Sequence, residues 1–174
     1  MKKVQFITQA AVIAALYVVL TLLANALGLA NYAVQVRFSE ALTILPFFTP
    51  AAIPGLFVGC IISNILSGCI IWDIIFGSIA TLLGAIGTYL IAHPAKEEAS
   101  SPKKSSLIRE ISCTLPPIVA NTVIVPFVLA YAYHLEGGVP FFMLTVGAGE
   151  VISCGILGFL LLQILKKYRR QIFG

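Results

Sequence analysis

Charged side chains are scarce in this sequence. They make up 10% of its 174 residues, whereas an average soluble domain contains about 25%. Hydrophobic residues account for 59%, and the mean hydropathy is +1.01. A water-exposed globule of this length would lack the polar residues needed to cover its surface. The composition therefore excludes an ordinary soluble domain and predicts an integral membrane protein.

Sequence signatures of catalysis and of nucleotide binding are also missing. The chain contains no G-x-x-x-x-G-K-[ST] phosphate-binding loop, no H-E-x-x-H and no G-x-S-x-G. Its two histidines, His93 and His134, fall in loops predicted on opposite sides of the membrane, and its four cysteines form no C-x-x-C pair. We therefore expect no enzymatic activity, no metal site and no cofactor. Energy for uphill transport would have to come from a partner ATPase or from an ion.

Basic residues are grouped along the chain. All but one of the 11 lysines and arginines lie in three clusters, at residues 2–3, 96–109 and 166–170. Basic clusters that flank apolar segments are typical of cytoplasmic loops, whereas a nucleic-acid-binding surface mixes basic with aromatic and polar residues along one face. We therefore expect no nucleic-acid partner and assign all three clusters to the cytoplasmic side.

The apolar segments predict membrane spans, and the basic clusters fix their number. Residues 4–24 and 72–92 each have the length of about 20 residues that crosses a bilayer. An even number of crossings must separate the first two basic clusters, so the uncharged stretch 41–72 has to cross twice. Its prolines divide it into a short second span, 39–48, and a third, 51–67. The short span must be shielded by neighbours or be partly irregular.

Two further spans, 107–133 and 140–165, complete the predicted topology, and we expect Pro116, Pro117 and Pro126 to bend the first of them. The polar residues 93–106 form a cytoplasmic linker in this scheme. The fold class is thus an all-α integral membrane protein of the cell membrane, with six transmembrane helices and cytoplasmic N- and C-termini. We expect residues 1–174 to form a single membrane-embedded domain.

Several polar side chains lie within these spans or at their outer ends. A charged group inside the bilayer costs roughly 2.5–3.5 kcal/mol on insertion scales, and such groups usually face a cavity or a partner. Glu150 is the clearest case because it lies well inside the sixth span. The other candidate site residues are Arg37, Glu40, Asn64, Trp72, Asp73 and Asn121.

Together these side chains predict a pocket that opens to the outside and binds a small, flat, polar molecule. A carboxylate can accept two parallel N–H bonds from a guanine-type edge, and an aromatic ring can stack on the face of a base. The nearby aromatic residues are Tyr32, Phe38 and Trp72.

Alternative roles remain open for the same residues. Arg37 and Asp73 can anchor the chain at the membrane interface, and Asp73 can cap a helix. Asn121 and Glu150 can hydrogen-bond to a neighbouring helix. A different class of function is an ion-coupled carrier of small solutes, in which Glu150 takes up and releases a proton.

Small residues recur in the first span. Ala10 and Ala14, and likewise Ala11 and Ala15, are four positions apart. Such a stripe allows another helix to approach closely, although alanine is also common in membrane helices generally.

Several sequence motifs resemble those of the queuosine-precursor transporter family. The first runs from Gln35 to Leu42 (QVRFSEAL) and continues from Leu45 to Leu56 (LPFFTPAAIPGL). The remaining matches are Asn64, Ser67-Gly68, Trp72-Asp73, Phe76-Gly77-Ser78, Pro116-Pro117, Asn121 and Gly149-Glu150. The resemblance extends over nearly the whole chain apart from the linker 93–106.

This resemblance implies the substrate-binding S component of an energy-coupling factor transporter. Such a component is a six-helix membrane protein, and here it would capture a 7-deazaguanine derivative or queuine from outside. It would associate with a membrane T component and two ATPase subunits, the first-span alanines touching the T component. The residue roles that we expect are hydrogen-bond acceptors at Glu40 and Glu150, ligand orientation by Asn64 and Asp73, and a gate that includes Arg37.

Overall fold

The computed structural model describes residues 3–29, 36–94, 104–134 and 138–172, without the side chains of 104–106 and 170. Most of the predicted linker 93–106 lies outside these ranges, as do Tyr32 and the basic residues Lys2, Lys96 and Lys103.

All regular secondary structure in the described residues is helical. The elements are α1 (Lys3–Ala26), a 3₁₀ helix (Phe38–Phe47), α2 (Ala52–Leu66), α3 (Ile71–Ala92), α4 (Lys104–Ser112), α5 (Leu115–Tyr131), α6 (Val139–Glu150), a π-helical segment (Val151–Leu157) and α7 (Gly158–Ile172). The last three follow one another without a break.

Four helical stretches are long and apolar enough to cross a membrane: Lys3–Ala26, Ile71–Ala92, Leu107–Tyr131 and Val139–Arg169. Two shorter apolar helices, Phe38–Phe47 and Ala52–Leu66, lie between the first and second of them. The prediction of an all-α fold is confirmed. The four long and two short helices also match the positions of the predicted spans.

The short second element is a 3₁₀ helix. This geometry has poorer hydrogen bonds than an α-helix, and runs longer than a few residues are uncommon. Pro46 lies within it and cannot donate a backbone hydrogen bond. Every residue from Ser39 to Pro46 is buried, so neighbouring helices shield this segment. The expectation of a shielded, partly irregular second element is confirmed.

The predicted fifth span, 107–133, corresponds to the apolar stretch Leu107–Tyr131, which a short turn interrupts beside two of its prolines. Residues Cys113 and Thr114 form a turn that separates α4 from α5, and α4 already begins at Lys104. The cause lies just downstream, since Pro116 and Pro117 cannot donate helical hydrogen bonds and restrict the residue before them. The Thr88 hydroxyl donates to the Cys113 carbonyl across 2.8 Å and ties this turn to α3.

Helices α1 and α2 approach each other through small residues. A Cβ atom added at Gly55 would lie 2.7 Å from the Ala10 carbonyl oxygen, and one added at Gly59 would lie 2.8 Å from Tyr17 Cβ and 3.0 Å from the Ala14 carbonyl oxygen. Glycine at these positions lets the backbones come this close. The Ala10–Ala14 side of the alanine stripe therefore faces α2 of the same chain.

Candidate functional site

Glu40 lies at the centre of a buried polar cluster. Its side chain is on the 3₁₀ helix and only 2% exposed. The Tyr17 hydroxyl of α1 donates a hydrogen bond to Glu40 Oε1, and Asn121 Nδ2 of α5 donates to Oε2 across 3.5 Å. Both carboxylate oxygens are thus held by donors from two other helices.

Glu150 joins the same cluster from α6. It is 6% exposed and immediately precedes the π-helical segment. The Cys154 thiol, within that segment, donates to Glu150 Oε2 across 3.1 Å and also lies 3.4 Å from the Glu40 carbonyl oxygen. One ligand atom from each of Glu40, Glu150 and Cys154 lies within 4.8 Å of the others, close enough to hold a metal ion. π-helical turns occur frequently at functional sites.

A second polar group contains Asn64 and Asp73, which are 2% and 5% exposed. Tyr133 donates from its hydroxyl to Asp73 Oδ2 across 3.0 Å, and Asn64 Nδ2 lies 3.6 Å from Cys60 Sγ. A Cβ atom added at Gly77 would lie 3.4 Å from both Asn64 Nδ2 and Asp73 Oδ1. The amide and the carboxylate therefore face the same space beside Gly77.

Arg37 connects the two groups electrostatically. It precedes the 3₁₀ helix, and its backbone N–H donates to Ser153 Oγ of the π-helical segment across 3.2 Å. Burial lowers the pKa of the guanidinium, but the nearby carboxylates of Asp73 and Glu40 outweigh it, so the pKa lies above its ordinary value. Arg37 is thus a permanent positive charge beside the buried acids.

Trp72 does not lie with these residues. It is 54% exposed, stacks on Phe76 at a centroid distance of 6.1 Å, and lines an apolar groove of about 630 Å³ between α3 and α5. Consecutive residues of a helix point about 100° apart, so burial of Asp73 turns Trp72 outward. The expected stacking of Trp72 on a ligand held by the buried acids does not agree with this geometry.

Sequence reasoning missed the contribution of α1. Tyr17 hydrogen-bonds to Glu40, Thr21 Oγ1 donates to Ser39 Oγ across 2.8 Å, and Asn25 Nδ2 donates to Ser67 Oγ across 2.7 Å. These α1 residues recur every four positions, which places them on one helix face. Polar residues four positions apart in an otherwise apolar span are the sequence feature from which this contribution of α1 could have been predicted.

Two buried hydroxyls have no hydrogen-bond partner within the part of the chain that the structure describes. They belong to Ser78 of α3, which is 1% exposed, and Thr122 of α5. Buried polar groups are almost always hydrogen-bonded. Ser78 and Thr122 lie on the neighbouring helices α3 and α5, and a water molecule or a ligand atom would satisfy such a hydroxyl.

Comparison with known families identifies the chain. The sequence profile described as QueT transporter matches residues 7–167, nearly the full length. The chain belongs to the QueT transporter family. QueT proteins transport queuosine precursors, so the resemblance noted from the motifs is confirmed, and the protein is a multi-pass membrane protein of a transporter family rather than an enzyme. Comparison with curated proteins and with solved structures gives no match.

The buried cluster gives this QueT protein an interior rich in acceptors. Glu40 and Glu150 bring four carboxyl oxygens together, of which three accept hydrogen bonds from Tyr17, Asn121 and Cys154. Buried carboxylates are costly unless they are neutralised or paired. The cluster is therefore suited chemically to a small ligand that carries several N–H donors.

Proposed function

We propose that this chain is the substrate-binding S component of an energy-coupling factor transporter and that it captures a queuosine precursor, a 7-deazaguanine derivative or queuine. The observation that carries the proposal is the meeting of Glu40, Asn121 and Glu150 inside the helices of a QueT family member. These residues come from three distant parts of the chain, and polar groups at membrane depth usually mark a substrate pathway.

The irregular helices support a binding role for this region. Glu40 lies on a 3₁₀ helix and Glu150 adjoins a π-helical segment. Irregular backbone at membrane depth is tolerated where it is buried in protein or lines a cavity.

The topology proposed for this S component has six crossings and both termini in the cytoplasm, within one membrane domain comprising residues 1–174. Glu40, Asn64 and Asp73 then lie towards the outer side, and Arg37 belongs to the loop that closes over them. The positive-inside distribution of lysine and arginine supports this orientation.

Ala11 and Ala15 are the part of the alanine stripe that we propose as the contact with the T component. Both are exposed on α1, whereas Ala10 and Ala14 face α2. Small exposed residues allow a partner helix to pack closely in the membrane. The two ATPase subunits would bind through that T component.

Equilibrium binding tests the proposed function. The purified chain, reconstituted in lipid nanodiscs, is titrated by calorimetry with 7-aminomethyl-7-deazaguanine and with queuine. We expect micromolar or tighter binding of at least one of them, and no binding of adenine, which lacks the guanine-type donor edge. Absence of binding by both compounds to folded protein would contradict the proposal.

A matched pair of variants locates the site. Glu40→Gln removes a buried carboxylate of the cluster, whereas Glu110→Gln makes the same change on α4, where Glu110 contacts Lys166 and Gln163. We expect Glu40→Gln to weaken binding by roughly tenfold or more, since hydrogen bonds to charged groups contribute about 1.5–3 kcal/mol. Glu110→Gln should bind like the wild type.

A further inference from the structure

A second apolar groove, of about 420 Å³, lies between α1 and α7. The 3₁₀ helix that carries Glu40 forms its floor through Leu42 and Leu45, which are each 6% exposed. The other apolar residues that line it are Val12, Ile13, Leu16, Leu161, Leu165 and Ile172. Such a groove in a membrane protein is filled either by a lipid chain or by a partner helix, and its dimensions distinguish the two.

The groove matches one membrane leaflet in length. It follows α7 from Leu161 to Ile172, which at 1.5 Å per residue is about 16 Å. The hydrocarbon core of a bilayer is about 30 Å thick, so one leaflet contributes about half of it. The volume divided by this length gives a mean cross-section of about 26 Å², whereas a helix with its side chains is about 10–12 Å in diameter. The groove is therefore too narrow for a helix and has the length of a lipid acyl chain.

The start of α1 and the end of α7 lie at the same end of this groove. Thr21 donates to Ser39 at the start of the 3₁₀ helix, whereas Gln9 accepts from Thr49 beyond its end. The first residue of α7 lies against Ala41, near the start of the 3₁₀ helix, and the later residues of α7 pack towards its end. The early residues of α1 are therefore level with the late residues of α7.

Both helices are basic at this end. Lys3 begins α1, and residues 166–170 of α7 include four lysines and arginines, of which Lys166 pairs with Glu110 across 2.6 Å. Neither α1 nor α7 contains an aspartate or a glutamate. Clusters of about 4–8 basic residues beside a transmembrane helix are typical of sites that bind anionic lipid headgroups.

Arg169 lies on the groove side of α7. It follows Leu165 by four positions and precedes Ile172 by three, and both of these residues line the groove, so all three lie on one helix face. Lys167, two positions before Arg169, points to nearly the opposite side of the helix. A guanidinium can donate two parallel hydrogen bonds to one phosphate group. Arg169 is exposed and can make such a contact at the basic end of the groove.

We propose that the groove between α1 and α7 binds one anionic phospholipid, with an acyl chain along Leu42 and Leu45 and the phosphate group at Arg169. On the proposed topology this lipid belongs to the cytoplasmic leaflet, where anionic lipids are found. Its chain covers the outer side of the 3₁₀ helix that carries Glu40. The site is separate from the buried polar cluster and does not depend on the identity of the transported substrate.

Lipid retention by the purified chain tests this assignment. The protein is mixed in detergent with equal amounts of phosphatidylglycerol and phosphatidylcholine that have the same acyl chains, and bound lipid is measured by native mass spectrometry. We expect one phosphatidylglycerol per chain, bound about fivefold more tightly than phosphatidylcholine, which corresponds to the contribution of one basic residue near an anionic headgroup. Equal retention of the two lipids would overturn the proposal.

Two matched pairs of variants locate the lipid. Arg169→Gln should reduce the preference to about twofold or less, whereas Lys167→Gln, the same charge change on the other side of α7, should keep it. Val12→Trp should fill the groove and lower retention of phosphatidylglycerol, whereas Val19→Trp, outside the groove on α1, should not. The two valines are 53% and 60% exposed, so both changes avoid the core.

The variants also separate a lipid site from the alternatives. If Arg169→Gln and Lys167→Gln lose the preference equally, general surface charge attracts the lipid and the site is wrong. If Val12→Trp retains lipid like the wild type but no longer co-purifies with the T component, a partner protein occupies the groove and the proposal is likewise overturned. Should Val12→Trp fail to fold, the comparison of Arg169→Gln with Lys167→Gln decides.

Discussion

Tyr17 of α1 donates its hydroxyl hydrogen to Oε1 of Glu40, and this bond connects the first helix of the chain to the centre of the candidate site. Tyr17 is 1% exposed and belongs to the same apolar core as Leu42 and Leu56. Its ring therefore contributes to packing while its hydroxyl orients an acid. This dual role gives the first testable prediction.

Tyr17→Phe should keep the packing and remove the donor. Because a buried acceptor would lose its partner, we expect a loss of about 1–3 kcal/mol in stability and weaker binding of the queuosine precursor. Thermal unfolding and calorimetry of the purified variant measure the two effects. Unchanged values for both would show that the hydroxyl contributes nothing to the orientation of Glu40.

Gly59→Ala should force α1 away from α2. The added Cβ would lie 2.8 Å from Tyr17 Cβ, and overpacking of this kind typically costs about 1–3 kcal/mol. Gly155→Ala is the matched control, since its nearest new contacts are 3.7 Å and 3.8 Å away. We expect a lower unfolding temperature for Gly59→Ala than for Gly155→Ala, and equal temperatures would be inconsistent with close α1–α2 packing.

Asp73 and Tyr133 should be energetically coupled in their contributions to stability. The variants Asp73→Asn and Tyr133→Phe each alter the 3.0 Å hydrogen bond between these residues, so their effects on stability should not add. Directly bonded residues typically show coupling energies of about 0.5–3 kcal/mol in double-mutant cycles. Additive losses would mean that the contact does not contribute to stability.

Ala11→Leu with Ala15→Leu should weaken association with the T component and leave ligand binding intact. Both positions are exposed on α1, and the bulkier side chains would hold a partner helix away. Ala148→Leu is the control, because Ala148 is an exposed alanine on α6. Co-purification with the T component and ATPases measures association. Equal recovery of all variants would refute the proposed contact.

The energy source separates the proposed function from an ion-coupled carrier that uses Glu150. In cells that contain the T component and both ATPases, we expect uptake to stop when the ATPases are made catalytically inactive. Uptake by the chain alone, abolished by collapse of the proton gradient while ATP is maintained, would favour the carrier instead.

Span positions could be predicted because composition and charge determine them. The prolines at 46, 50 and 54 indicated that the stretch 41–72 is not one continuous helix, and the structure has two short helices there, Phe38–Phe47 and Ala52–Leu66. The candidate acids could also be found, since Glu40 and Glu150 interrupt apolar sequence. These inferences need only hydropathy and side-chain charge.

Side-chain direction could not be predicted in the same way. Trp72 and Asp73 are neighbours in sequence and both looked like site residues, but a helix turns them apart. The π-helical segment after Glu150 depends on tertiary packing and backbone hydrogen bonds. Hydropathy does not report either of these.

A structure of the protein with bound 7-aminomethyl-7-deazaguanine tests the central claim most directly. We predict that the ligand lies between Glu40 and Glu150, with its N–H donors bonded to these two side chains and its ring buried among the helices. A ligand found in the apolar groove that Trp72 and Phe76 line, with the two glutamates unchanged and remote from it, would contradict this account.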